Sequence, residues 1–176
     1  MFMDAVVKIP DDIKVKKDGH FLVFSGKMGE AKINFLNERI SLELNPDTII
    51  IHSKSESRKD KRLLETFRAH ISNAIKGVKQ GFKYKLKICS IHFPMTAKVS
   101  GDKVIIENFL GERYPRIAKI YPGVKVDIQK QDITLTGADL CAVSQSAANI
   151  EQAVRISGRD RRVYQDGIFI TEKRAE

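Results

Sequence analysis

Arg155, Arg159, Arg161 and Arg162 crowd into one short stretch, and the last three fall within SGRDRRVYQDGIFITEK (157–173). Guanidinium groups are always charged, and their planar fork matches two phosphate oxygens at once. The chemistry these residues offer is capture of phosphate rather than bond making. Asp160 and Asp166 stand among them, and each arginine paired with one of these acids is one fewer for an external anion. The support is read from turn chemistry. Asp166-Gly167 lies between Val163-Tyr164-Gln165 and Ile168-Phe169-Ile170, which predicts a tight β-hairpin. A stiff hairpin would hold the cations in place and lower the entropy lost on binding.

A second basic stretch runs from Lys76 through Lys79, Lys83, Lys85 and Lys87 without an acidic residue. Two readings stand side by side: a face that tracks phosphates, or a solvated strand edge on which lysines deter edge-to-edge pairing. The basic face of the first helix, with Arg58, Lys59, Lys61, Arg62 and Arg68, is read as solvated. Gly26-Lys27-Met28-Gly29 matches a GxxG loop in letters only, because that loop clamps nucleotides when it joins two helices. Strand-like residues flank it here, so a β-turn is expected.

Catalytic constellations are missing from the sequence. His20, His52, His70 and His92 have no metal-ligand spacing to one another or to Cys89 and Cys141. The chain has no Gly-x-Ser-x-Gly elbow, Walker loop or dinucleotide fingerprint. Neither an enzyme nor a cofactor is expected. The two cysteines make no disulfide framework and are read as reduced, buried thiols.

The chain has 176 residues, 31 Lys plus Arg against 22 Asp plus Glu, and a formal net charge of +9. That surplus calls for an acidic partner. No apolar run has the length of a membrane span, and the N-terminus lacks the pattern of a secretory signal. The expectation is therefore a cytoplasmic protein with no membrane partner. The apolar stripe of the first helix fits burial against its own sheet better than insertion into lipid.

The elements that must position these cations repeat. Lys14–Lys17 and His20–Phe24 flank an Asp18-Gly19 turn; Ile40, Leu42 and Leu44 alternate with polar neighbours; Thr48–His52 is a β-branched run. A helix follows, with Ser57 and Asp60 as a capping box, Leu63, Leu64, Phe67, Ile71, Ala74, Ile75 and Val78 as its apolar stripe, and Gly77 as its stop. The second half restates the plan. Phe82, Tyr84, Leu86 and Ile88 alternate with lysines, Ser100-Gly101-Asp102 is a turn, and Val104–Phe109 and Asp132–Thr136 are strands. A helix spans about 138–153, with Thr136 and Asp139 as its capping box and Leu140, Val143, Ala147 and Ile150 as its stripe. Gly29-Glu30 recurs as Gly111-Glu112. This is an internal duplication. The fold class is α+β: two tandem duplicated small domains, residues 1–79 and 80–176, each a mostly antiparallel β-sheet packed with one main α-helix. The short basic junction predicts that the two domains abut rigidly.

Three stretches resemble a known family. GVKQGFKYKLKICSIHFP (77–94), IENFLGERYPR (106–116) and RDRRVYQDGIFITEK (159–173), with IPDDIKV (9–15), are similar to the universal large-subunit ribosomal protein family L-six, in its archaeal and eukaryotic form. The C-terminal stretch departs from the Gly/Lys-rich signature of the bacterial form. The resemblance implies two tandem copies of one α+β unit and a non-catalytic role in the large ribosomal subunit. It implies binding to large-subunit rRNA chiefly through the C-terminal domain, near the sarcin–ricin loop and the base of the factor-binding stalk. Neighbouring large-subunit proteins, and translation GTPases docking nearby, would be the other partners. The candidate rRNA contacts are Arg155, Arg159, Arg161, Arg162, Tyr164, Gln165, Lys173, Lys83, Lys85 and Lys87.

Overall fold

The computed structural model describes residues 3–37, 39–55 and 57–175, and the chain divides between Gly81 and Phe82 into two units. The first unit runs β1 (Met3–Lys8), β2 (Lys14–Asp18), β3 (Phe21–Gly26), β4 (Gly29–Asn34), β5 (Ile40–Leu44), β6 (Thr48–Ser53) and α1 (Arg58–Lys79). Its strands form two antiparallel sheets, ordered β2-β3-β4 and β1-β6-β5. The two-residue period decides what is buried: Ile49 and Ile51 of β6 and Leu22 and Phe24 of β3 are almost wholly covered. Helix α1 starts where Ser57 Oγ accepts the Asp60 amide at 3.2 Å, and that hydroxyl donates to the Asp60 carboxylate at 2.6 Å. This is a cap built on the expected pair, with the return bond going to the hydroxyl. Leu64, Ile71, Ala74 and Val78 then face inward, and α1 packs on β1, β3, β4 and β6. Ile71 is fully buried, so truncation to alanine there would remove about 2–5 kcal/mol.

The second unit runs β7 (Phe82–Cys89), β8 (Thr96–Ser100), β9 (Lys103–Glu107), a 3-10 turn at Phe109–Gly111, β10 (Arg116–Lys119), β11 (Lys125–Gln129), β12 (Asp132–Gly137), α2 (Leu140–Ala153) and β13 (Gly167–Ala175). Its sheets are ordered β8-β9-β10 and β11-β12-β7-β13. The plan of the first unit is preserved, with β7 in the role of β1, β12 in that of β6 and β11 in that of β5. What is new is β13, which follows the helix and pairs antiparallel along the side of β7 away from β12. The core of this unit gathers Leu86, Ile106, Phe109, Ile133, Leu135, Ile150 and Ile168, each nearly or wholly inaccessible.

Four local expectations are corrected. Gly77 does not stop α1; it lies buried inside the helix, which ends at Lys79, and the chain turns away at Gly81 with φ +85°. Helix α2 is capped by Asp139 alone, whose carboxylate accepts the Cys141 amide at 2.9 Å, because Thr136 is still part of β12. Cys141 therefore sits in the exposed first turn rather than in the core. No hairpin forms about Asp166-Gly167: Val163–Gln165 is not a strand, and β13 finds its partner in β7.

Candidate nucleic-acid interface

The arginine-rich segment connects α2 to β13. Val154 is buried at the end of α2, so the chain is pinned there, and Arg155 emerges exposed. A turn follows in which the Asp160 carbonyl accepts the amides of Val163 and Tyr164 at 3.2 and 2.9 Å. The Asp160 carboxylate closes the same turn by accepting the Arg162 amide at 2.9 Å. That backbone bond, then the Arg162 side chain, hold the Asp160 carboxyl below its usual range against a smaller effect of burial. Arg162 thus reaches its own turn's acid, at 3.3 Å, as the sequence allowed. Arg159 lies with its guanidinium carbon 4.8 Å from the centre of the Tyr164 ring, and Gln165 donates to the Arg162 carbonyl at 3.3 Å.

Asp166 is the anchor of this segment, and it pairs with none of the arginines. Its side chain is 3% exposed. One oxygen accepts the amides of Ile91 and His92 at 2.6 and 3.0 Å, and the other meets His92 Nδ1 at 2.6 Å. Burial alone would push the carboxyl up. The His92 ring bond, the two amides and the charge on His92 outweigh it and hold it below the ordinary value. The imidazole of His92 then packs against Tyr164, ring centres 4.9 Å apart. A continuous chain of contacts thus leads from the loop after β7 through Asp166, His92 and Tyr164 to Arg159. These partners are far apart in sequence, so local turn chemistry carries no sign of the contact.

Another cation has a different job. Arg116 holds Glu112 with two bonds of 2.5 and 2.8 Å, donates to the carbonyls of Ala153 and Arg155 at 2.9 and 3.2 Å, and lies 4.3 Å from the centre of the buried Phe109 ring. The bond from Arg116 holds the Glu112 carboxyl below its usual range, against burial. This explains the Asn-Phe-Leu-Gly-Glu segment physically. Asn108 adopts φ +59° and ties its amide to the Pro94 carbonyl at 2.9 Å, Phe109 plugs the core, and Glu112 orients an arginine that fixes the end of α2.

The lysine stretch is divided: Lys76 and Lys79 lie in the last turn of α1, and Lys83, Lys85 and Lys87 lie on β7, where Phe82, Tyr84, Leu86 and Ile88 face the core. The strand-edge reading fails, because β7 is flanked by β12 and β13. Lys85 pairs with Glu172 at 2.7 Å. Lys87 is exposed and stands opposite Phe169 in register, while Lys173 is exposed on β13 opposite Tyr84. An open groove of about 900 Å³ brings together Lys87, Arg155, Arg161, Tyr164 and Gln165. Lys83, Lys85, Arg159, Arg162 and Lys173 do not line it. Among the described residues no group of histidine, cysteine and acidic side chains is placed to hold a metal.

The comparisons follow the same division of the chain. The family model described as ribosomal protein L6 matches residues 9–81 and again residues 93–167, one copy in each unit. Large ribosomal subunit protein uL6 of Methanosphaera stadtmanae is 45% identical over 97% of this chain and 94% of its own length. The uL6 proteins of Ignicoccus hospitalis and Aeropyrum pernix are 41% and 42% identical over 97% and 95% of this chain, and over 94% and 92% of their own lengths. With two copies of the motif in tandem and relatives at this identity over almost its whole length, the chain belongs to the ribosomal protein L6 family, in its archaeal form.

Proposed function

We propose that this chain is a non-catalytic component of the large ribosomal subunit that binds large-subunit rRNA through its second repeat, residues 80–176. Membership of the family and the names of its relatives support the ribosomal role. One observation carries the choice of surface: Lys87, Arg155 and Arg161 line one groove, and no carboxylate among the described residues pairs with them. The nearby acids are occupied, Asp166 by His92 and two amides and Asp160 by its own turn. A surface so arranged neutralises phosphates and releases their counterions. The two rigid cores supply shape, which is what folded RNA is recognised by.

The finer reading follows from the family. The rRNA surface lies near the sarcin–ricin loop and the base of the factor-binding stalk, beside other large-subunit proteins and within reach of docking translation GTPases in the cytoplasmic ribosome. Arg155, Arg159, Arg161, Tyr164, Gln165 and Lys87 form the centre of the contact. Arg162, Lys83, Lys85 and Lys173 extend it. The test is binding of the full chain to large-subunit rRNA fragments of equal length, one containing the sarcin–ricin region. Preference for that fragment at physiological salt is expected. Equal affinity for all fragments would refute the placement.

A further inference from the structure

We propose that the groove beside β13 is a seat for one unpaired nucleobase of the bound RNA, with Phe169 as its stacking platform. The inference rests on the RNA-binding reading above and specifies what that surface takes. Phe169 lies in a strand, yet its side is open: it is 39% exposed and faces the groove. Its ring is steadied from below by Gly167, where a methyl group would come within 3.0 and 3.2 Å of ring atoms. The other aromatic of the groove, Tyr164, is already in contact with His92 and Arg159. Phe169 is therefore the ring left to receive a planar guest.

The remaining lining fits the same guest. Phe169 stands opposite Lys87 in register, on the outer face of the sheet, while Ile168 and Ile88 pair on the inner face and belong to the core. Lys87, Arg155 and Arg161 supply positive charge for the flanking phosphates. The side-chain amides of Gln131, Gln152 and Gln165 bring donors and acceptors of the kind that reads base edges. Of the two acids that line the groove, Glu151 accepts the Ile170 amide at 3.2 Å and Asp166 is held by His92 and two amides. A flat aromatic guest carrying phosphate suits an exposed ring in a groove that also holds these cations and amides. A base-paired duplex does not, because its bases are stacked within the helix and only phosphates and groove edges are presented.

The experiment uses the full chain and a single-stranded ten-nucleotide RNA carrying 2-aminopurine at its centre, compared with the same strand annealed to its complement. Stacking on Phe169 should quench the 2-aminopurine in the single strand. Phe169→Leu should abolish the quenching and weaken single-strand binding by about tenfold or more, with duplex binding changed less than about twofold. Phe169→Tyr, which keeps the ring, should restore both, and its recovery separates loss of stacking from loss of fold. Unchanged quenching and affinity in Phe169→Leu would overturn the proposal and leave the groove to another occupant, such as an extended peptide on the open side of β13. Failure of the wild-type chain to bind the single strand while it still binds large-subunit rRNA would also overturn it. Failure to bind any rRNA would instead remove the functional reading beneath it.

Discussion

Replacing Asp166 with asparagine isolates the contact on which the arginine segment depends. The substitution preserves size. An asparagine carbonyl can still accept the amides of Ile91 and His92, which both reach one oxygen of Asp166. What is lost is the negatively charged second oxygen 2.6 Å from His92 Nδ1, in a side chain 3% exposed. A hydrogen bond to a charged group is worth about 1.5–3 kcal/mol, and in a domain of this size each kcal/mol moves the midpoint about 4–8 °C, so Asp166→Asn should lower the Tm of the second unit by at least about 6 °C. The pH dependence has a definite sign. The folded carboxyl is held below its ordinary value. Its contribution is therefore complete above the unfolded pKa of about 4 and disappears as the pH falls through the lower folded value. Scanning calorimetry should show the full gap between wild type and variant near neutrality and a shrinking gap in acid. A neutral-pH Tm within about 1 °C of wild type would refute the claim that this carboxylate anchors the segment.

The first unit offers two further tests. A methyl group on Gly26 would stand 2.3 Å from Val78 Cγ1 and 3.0 Å from its carbonyl oxygen; overpacking of this kind costs about 1–3 kcal/mol, so Gly26→Ala should lower the urea midpoint with an unchanged slope. His52 on β6 bonds Asp4 of β1 at 2.7 Å and lies 3.5 Å from Glu43 of β5; the Asp4 hydrogen bond first, and then the charges of both acids, raise its pKa against burial. Its contribution is full below the unfolded value of about 6.5 and lost as pH rises through the raised folded value. Urea melts of His52→Gln should therefore differ from wild type in mild acid and converge with it in alkali.

Elements governed by their own side-chain period were legible in the sequence. β5, β6, β7, β12 and α1 announce themselves through alternation or a helical stripe, and the matching order of the halves revealed the duplication. β4 was legible only as the strand-like stretch after the Gly26–Gly29 turn, which the β3–β4 hairpin contains, since Ala31 is its one buried side chain; β10 was missed because Ala118 alone is buried there, too little apolar pattern to be seen. The hairpin about Asp166-Gly167 was misread for a different reason. Asp-Gly is a turn signal only when no distant partner competes, and here the loop at Ile91 and His92 takes the Asp166 carboxylate. The same blindness hid His92 and Phe169 from the site. The cations themselves were legible, since charge density needs no fold, but which of them converge depends on β13 joining β7. Sequence alone also could not separate Arg116, bound into the fold, from the arginines that remain open.

The central claim is that Arg155, Arg159 and Arg161 bind phosphates of large-subunit rRNA. The measurement is the salt dependence of full-chain binding to an rRNA fragment containing the sarcin–ricin region, for wild type and for the combined Arg155→Gln, Arg159→Gln and Arg161→Gln variant. If each arginine neutralises one phosphate, the slope of log affinity against log salt should flatten by about 2–3 units. An unchanged slope, in a variant whose melting shows it folded, would contradict the account.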